Sequence, residues 1–403
     1  MGNKNKHKAR VGMLVHQYYP KDLRVRREAE ALVEAGYRVE VVCLRAPKEP
    51  RKNREPYKDK VNGVQVYRLP ITRKRGKTFR YLYEYLGLMI LGGLILERLH
   101  FLDPFQVVHI HNMPDLLVLA GLIPKWMGAK LLLDIHDPMP ELYSLKTSIM
   151  QNYWIVKFLK WEEKFSCRLA HYVISVNNAM YKNLRYKGIP SKKIFILHNF
   201  PDTKYLPVKY DINRWPRHRE GFVLLYAGTV TEHYRLDIAI RALALVIKDI
   251  PCIKLRIFGD GNELNSVLKL ADNLGIIRYV EYLKPVDFDK VKDIMVDADV
   301  GITSHQGGIF GDIYFATKIL EYLSQGLPVI SSRTKTILNY IPEDALFYFE
   351  PENVSDMAKQ IIQIWNNPEL VSWKMENAKR ILDKYTWQVE KQKLINLYQE
   401  LLK

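Results

Sequence analysis

Lys318 and Glu321, three positions apart, are the residues in this chain best placed to act on a phosphorylated ligand. They lie in Phe-Ala-Thr-Lys-Ile-Leu-Glu-Tyr-Leu-Ser-Gln-Gly-Leu-Pro-Val-Ile-Ser-Ser, residues 315–332. On a helix, residues at this spacing share a face, so the ammonium and the carboxylate would point the same way. A helix N-terminus carries unpaired N–H groups and a partial positive charge, which suits a phosphate, and Lys318 in the first turn adds a full charge. The Glu321 carboxylate could accept hydrogen bonds from two adjacent hydroxyls of a ribose. The plainer reading is a surface ion pair on an ordinary helix.

The elements that would hold this pair follow from the surrounding residues. Ile319, Leu320 and Leu323 recur at helical spacing and give the helix an apolar face. Gly326 stands where a helix ends, and Pro328 lies just outside it. Val329 and Ile330 then begin a buried strand. Ahead of the helix, Gly307-Gly308-Ile309-Phe310-Gly311 is a loop that can bend tightly and bring backbone close to a ligand.

Residues 315–332 resemble the pattern Pro-x-Lys-x-x-Glu-Tyr-x-x-x-Gly-x-Pro-Val-Ile of the family-4 glycosyltransferases, which have the GT-B fold. The resemblance implies that the helix start, with Ala316, Thr317 and Lys318, binds the diphosphate of a nucleotide-sugar donor. It implies that Glu321 binds the ribose. Ala316 replaces the proline of that pattern, and Ile313 stands where many members carry a second glutamate. The donor-sugar contact is therefore not assigned to a side chain.

Other turns carry the resemblance further. Ala227-Gly-Thr229 is similar to the turn under the donor phosphates, so Gly228 and Thr229 join the donor-binding set. Thr229 takes the place of the usual arginine, and Arg235 is the nearest following cation, which would balance the leaving diphosphate. Its plainer reading is an exposed arginine at a helix start. Gly259-Asp-Gly261 lacks the third glycine of a dinucleotide fingerprint but resembles the family's turn beside the nucleotide. Val280 to Leu283 fits the strand whose following loop meets the base, which adds Gly259 and Leu283. Asp297-Ala-Asp299 looks like a metal motif of another transferase class. It directly precedes the apolar strand Val300 to Ile302 and is read as structural.

In the first half, Val11 to Val15 is a strand, His16 to Pro20 a loop, Asp22 a helix cap, Gly36 a helix stop and Val39 to Leu44 a second strand. This βαβ opening predicts a parallel sheet. Further apolar runs at Val107 to His111, Leu131 to Ile135, Tyr172 to Val176 and Ile194 to Leu197 extend it into a doubly wound sheet, with ligands at the carboxyl ends of its strands. Those ends bring His109, His111 and His136 together, the last within Asp134-Ile-His-Asp137. A His-x-His pair with further Asp and His could hold a metal for hydrolysis, or be hydrogen-bonded turn residues. In the resemblance, His136 stands beside donor sugar and acceptor as a positioning group or proton acceptor. Tyr19, Arg24 and His111 face the acceptor, with Arg27 as the alternative to Arg24. A solvated basic helix face is the other reading of those arginines.

The expected architecture is α/β, GT-B, with two doubly wound Rossmann-like domains facing a central cleft. Residues 1–205 form the acceptor-side domain and 206–384 the donor domain, with Pro207 to Arg219 as linker. Residues 385–403 form a helix crossing back to the first domain. Cys43, Cys167 and Cys252 show no paired spacing, which favours a reducing cytoplasm. The basic, polar N-terminus is no signal peptide. A net charge of +17 asks for anionic partners. Basic residues cluster at Lys48–Lys60 and Arg73–Arg80, and the second cluster leads into the apolar run Tyr85 to Leu96. Twelve residues are too few to cross a bilayer. The run is a buried core helix or a peripheral contact with an anionic cytoplasmic leaflet.

The resemblance implies a retaining transfer of a hexose or N-acetylhexosamine from a nucleoside diphosphate sugar to a hydroxyl of a glycan or lipid-linked acceptor. His136, Arg235 and Lys318 would be catalytic. Lys318, Arg235 and the helix N-terminus stand in for a metal, so no metal or other cofactor is expected. The rivals are an inert nucleotide-sugar-binding subunit, a sugar-nucleotide epimerase, and a metal-dependent hydrolase using His109, His111 and His136. No aromatic-interleaved basic motif supports nucleic-acid binding.

Overall fold

The computed structural model describes residues 9–46, 55–73, 78–145, 153–204, 206–207, 221–284 and 291–403. The linker beyond 207, the basic N-terminus up to residue 8, residues 48–54 of the first basic cluster and 74–77 of the second lie outside the described residues. So does most of the loop that follows Leu283. The chain divides into two compact units, Met1–Asn199 with Gln388–Lys403, and Phe200–Trp387.

The first unit is built on an eight-stranded sheet of order β3-β4-β2-β1-β5-β6-β7-β8. Its strands are β1 (Arg10–Tyr18), β2 (Arg38–Leu44), β3 (Lys58–Val61), β4 (Val64–Leu69), β5 (Val107–His111), β6 (Lys130–Ile135), β7 (Tyr172–Ser175) and β8 (Ile194–Ile196). All pairs are parallel except β3 with β4. The central runs bury both faces, as Val11, Met13, Leu14, Val41, Val107, Leu131 and Leu133 show, which is why they read as continuous apolar stretches. Asp22 Oδ1 accepts from the N–H groups of Arg24 and Val25 at 3.1 Å and starts the helix Leu23–Glu34. Gly36, with φ +90°, follows its end.

The final helix, Trp387–Leu401, packs on this sheet. The Tyr398 hydroxyl lies 2.9 Å from His109 Nδ1, and its ring meets Tyr37 edge-on. The buried Glu390 accepts from the His198 N–H at 2.9 Å.

The second unit is a parallel sheet of order β11-β10-β9-β12-β13-β14, formed by β9 (Phe222–Ala227), β10 (Ile253–Phe258), β11 (Val280–Leu283), β12 (Val300–Thr303), β13 (Val329–Ser332) and β14 (Phe347–Phe349). The helix Lys318–Ser324 buries Ile319, Leu320 and Leu323, the apolar face read from their spacing. Gly326, with φ +70°, donates to the Leu323 carbonyl at 2.9 Å and closes it. Asp299 is structural: its Oδ2 accepts from the Val223 N–H at 2.7 Å.

Three sequence expectations change. The loop assigned to His16–Pro20 is strand through Tyr18, because β1 regains pairing with β2 at Tyr18 after a bulge. Residues 58–69, read partly as a basic cluster, form the hairpin β3–β4. Its Asn62-Gly63 turn has φ of +49° and +85°, the left-handed pair that favours this dipeptide. The apolar run at Tyr85–Leu96 is the middle of a longer helix, Thr78–Leu102, with one exposed apolar side. By length and composition that helix could span a bilayer.

Candidate active site

In the second unit the turns after β9 and β10 interlock. The N–H groups of Gly228 and Val230 donate to the carbonyls of Phe258 and Asp260 at 2.8 and 3.1 Å. A β-carbon on Gly261 would stand 1.8 Å from the Val230 carbonyl oxygen, so this turn tolerates no side chain there. A β-carbon on Gly228 would stand 2.9 Å from Lys318 Cε, which shows how closely the lysine stem crosses the turn. Lys318 Nζ is 4.0 Å from Glu321 Oε2, and both side chains remain partly exposed. A buried tyrosine, Tyr322, supports the arrangement from beneath: its hydroxyl accepts from the Ala227 N–H at 2.7 Å, and its ring lies against Gly301.

Gly228, Thr229, Ala316 and Lys318 therefore line one cavity of about 80 Å³, together with Tyr226, Tyr234, Ile302, Thr303, His305 and Tyr314. Thr317 and Glu321 lie on the same turn of chain beside it, and Gly259 backs Gly228. Arg235 is not among its lining residues. It faces a neighbouring depression of about 360 Å³, held by Asp237 at 2.9 Å and Glu352 at 3.2 Å. Leu283, at the end of the edge strand β11, is half-buried and away from the lining. Ile313 is buried, so the position at which the family resemblance would place a second glutamate is filled by an apolar side chain.

The aromatic part of this cavity was not legible in the sequence. The Tyr234 and Tyr314 hydroxyls lie 3.1 Å apart, and the His305 ring stands 5.3 and 5.1 Å from the two tyrosine rings. Burial, aided by His233, pushes the His305 imidazole down to about 3, so it is neutral at ordinary pH. The only available signal was the position of His305 and Tyr314 on either side of the glycine-rich loop.

In the first unit Asp134 gathers the other candidates. Burial would raise its carboxyl, but Arg24, then His136 and the two histidine hydrogen bonds, hold it well below the usual range. As a carboxylate it only accepts, so a ring N–H of His111 (Nδ1, 3.2 Å) or of His136 (Nε2, 3.1 Å) donates to it, and these two ring nitrogens also lie 3.2 Å from each other. With Nε2–H turned to Asp134, the free ring atom of His136 is Nδ1. The His136 N–H donates to Asn112 Oδ1 at 2.7 Å, which fixes its strand end.

Arg24 is buried and ion-paired with Asp134 and with Glu28, the latter at 3.2 Å. Glu28 is raised by burial and by Asp134. His109 is held well below its ordinary value by burial and by His111, whose ring stacks on it at 4.2 Å. Arg27 pairs instead with the Asn199 side chain, and the buried Tyr19 lies at the end of β1.

Ligand atoms of Glu28, His109, His111 and Asp134 lie within 4.8 Å of one another, a set whose chemistry fits a divalent ion. Against this, Arg24 already binds both carboxylates with a fixed positive charge. His136, the third histidine of the hydrolase reading, lies outside that four-residue set.

Two doubly wound α/β units of this kind make up the GT-B fold. The same fold occurs in a sucrose-phosphate synthase from Thermosynechococcus elongatus, with TM-score 0.75 and 16% identity, covering 98% of this chain and 99% of that one. It also occurs in Anabaena HepE in complex with UDP-glucose, with TM-score 0.70 and 15% identity, covering 97% and 100%.

Residues 23–205 match the model of Glycosyltransferase Family 4, and residues 210–381 that of Glycosyl transferases group 1. The chain belongs to this glycosyltransferase family. Among curated relatives, the phosphatidylinositol N-acetylglucosaminyltransferase GPI3 subunit of Saccharomyces cerevisiae is 20% identical over 358 residues, 87% of this chain and 73% of that protein.

Proposed function

We propose that the protein transfers a hexose or N-acetylhexosamine from a nucleoside diphosphate sugar to a hydroxyl of a glycan or lipid-linked acceptor, with retention and without a metal. The observation that carries this reading is the convergence of Gly228, Thr229, Ala316 and Lys318 on one cavity, with Glu321 4.0 Å from the lysine. In the reaction the bond between the sugar's anomeric carbon and the diphosphate oxygen breaks, and the acceptor oxygen bonds to that carbon. The site must stabilise a departing diphosphate and an oxocarbenium-like sugar.

Lys318 and the N–H groups at Ala316–Lys318 take the diphosphate charge. Arg235 supports them from the adjoining depression if a bound donor draws it from Asp237 and Glu352. Glu321 takes the ribose hydroxyls, and Leu283 borders the base. In the first unit, His136 positions the acceptor hydroxyl or receives its proton at Nδ1, held in that tautomer by Asp134. Tyr19, Arg24 and His111 frame the acceptor side, where Arg24 acts through Asp134.

Fixed side-chain cations stand in for a metal, and the binding of Arg24 to both carboxylates of the histidine cluster favours this over metal-assisted hydrolysis. The HepE structure contains UDP-glucose, and the GPI3 relative is named for an N-acetylglucosaminyl transfer to phosphatidylinositol, which supports the donor and acceptor classes. The corresponding cellular role is synthesis of cell-surface polysaccharide or glycolipid on the cytoplasmic side of a membrane, by a peripheral enzyme. The test is transfer of label from UDP-, GDP- and ADP-sugars into a lipid or glycan fraction with EDTA present. Product from one donor with the anomeric configuration retained supports the proposal, and label released only as free sugar contradicts it.

A further inference from the structure

An extended exposed apolar surface lies in the first unit and has no part in the site described above. On the helix Thr78–Leu102 the exposed residues Tyr83, Leu86, Ile90, Leu94 and Phe101 fall on one side and span roughly 27 Å at 1.5 Å per residue. The other side is committed to the core. Leu88 and Leu96 are buried, Gly92 lies against Leu14, and Glu84 and His100 are inside the fold. The helix therefore cannot span a bilayer without unfolding the unit, but it can lie on one.

A second helix, Tyr153–Leu169, flanks the first across the stretch Asp115–Gly121, which packs on both. It carries Trp154, Phe158, Trp161 and Phe165 at helical spacing, and both indoles are more than half exposed, Trp154 by 76%. Trp161 stacks on Phe165 at 5.2 Å. Beside this aromatic stripe stand the exposed Lys157, Lys160 and Arg168, and Lys157 Nζ lies 5.3 Å from the Trp154 ring. Arg98 is an exposed cation on the first helix face.

Aromatic side chains interleaved with lysines on an amphipathic helix match the boundary between acyl chains and anionic headgroups. A second copy of the chain would bring the same cations against each other, so charge favours lipid over self-association. We infer that the exposed sides of helices 78–102 and 153–169 form one monotopic docking surface for an anionic phospholipid bilayer. This deepens the peripheral placement proposed above and rests on it.

The test uses the full chain and vesicles of phosphatidylcholine with or without phosphatidylglycerol, without nucleotide sugar, so that its failure leaves the transfer reading untouched. Co-sedimentation with the phosphatidylglycerol vesicles, weakened by salt and accompanied by a blue shift of tryptophan emission, is expected. Trp154→Ser with Trp161→Ser should abolish it. Lys157→Gln with Lys160→Gln, which leaves every apolar contact in place, should weaken it about twenty-fivefold, at roughly fivefold per lysine. An unchanged circular dichroism spectrum shows that both variants fold. Absence of wild-type binding would overturn the proposal, as would wild-type affinity in both variants. A wild-type dimer that ignores vesicles and becomes a monomer in the tryptophan variant would assign the surface to a second copy.

Discussion

Gly259 approaches Gly228 so closely that a β-carbon on it would stand 1.8 Å from the Gly228 carbonyl oxygen. Neither partner can yield, because the obstacle is backbone that also hydrogen-bonds to Phe258, and Gly259 has φ +148°. Gly259→Ala should destabilise the protein by about 2–4 kcal/mol in urea unfolding and weaken nucleotide binding. Gly221→Ala, where nothing stands within 4 Å of the added carbon, should change stability by no more than about 0.5 kcal/mol.

Lys318 and Arg235 should separate in a binding experiment. Lys318→Ala removes a partly exposed cation from the cavity and should weaken nucleoside diphosphate binding about tenfold or more by calorimetry. Arg235→Ala removes one already neutralised by Asp237 and Glu352 and should cost distinctly less. An equal loss in both variants would show that a donor draws Arg235 out of its ion pairs.

Asp134 and His136 should be coupled. His136→Ala should lower kcat about 10²- to 10⁴-fold with little change in donor KM. Asp134→Asn should also lower kcat and should shift its pH profile, because the amide no longer fixes the His136 tautomer. The Asp134 pKa is depressed on folding, so its contribution to stability is present above the unfolded value of about 3.9 and is lost as pH falls through the lower folded value. Thermal unfolding of wild type and Asp134→Asn from neutral to acid pH should show the two curves converging.

A second buried carboxylate group should act with the opposite sign. Burial, with Glu162 beside it, raises Asp115 to about 7. Burial also raises Glu162 to about 7, and burial outweighs the Lys187 ion pair to bring Glu163 to about 7. Acids raised on folding bind more protons folded than unfolded. Stability should therefore be highest in mild acid and fall as pH rises from about 4–5, the unfolded values, through 7, by at most ~1.4 kcal/mol per pH unit for each group. Asp115→Asn, which keeps the shape beside Asn112, should flatten the slope measured by urea unfolding between pH 5 and 8.

The two sheets were legible because parallel strands buried on both faces leave uninterrupted apolar runs, as at Val107–His111 and Leu131–Ile135. Lys318 and Glu321 were legible because the helix, glycine stop and strand around them are local in sequence. The Arg24–Asp134 ion pair was not, since it joins residues 110 positions apart. The ring cluster of Tyr234, His305 and Tyr314 was hidden for the same reason. Asn62-Gly63 announces the turn of the β3–β4 hairpin, but β3 itself, Lys-Asp-Lys-Val, lacks the apolar alternation that marks a strand in sequence. The sequence expectation that no basic motif is interleaved with aromatics is overturned by the 153–169 helix, whose Trp154, Phe158 and Trp161 alternate with Lys157 and Lys160; only the fold distinguishes an aromatic stripe in a core from one facing solvent.

The central claim is a metal-independent nucleotide-sugar site around Lys318 and Glu321. The most direct measurement is thermal stability of wild type and Glu321→Ala with UDP, GDP, ADP and their sugars, all in EDTA. One nucleotide should stabilise the wild type by about 2.7 kcal/mol at a hundredfold excess over Kd, and the variant should lose most of that gain. No stabilisation by any nucleotide, or stabilisation unaffected by Glu321→Ala, would contradict the account, and stabilisation that appears only when a divalent ion replaces the EDTA would move the chemistry to Glu28, His109, His111 and Asp134.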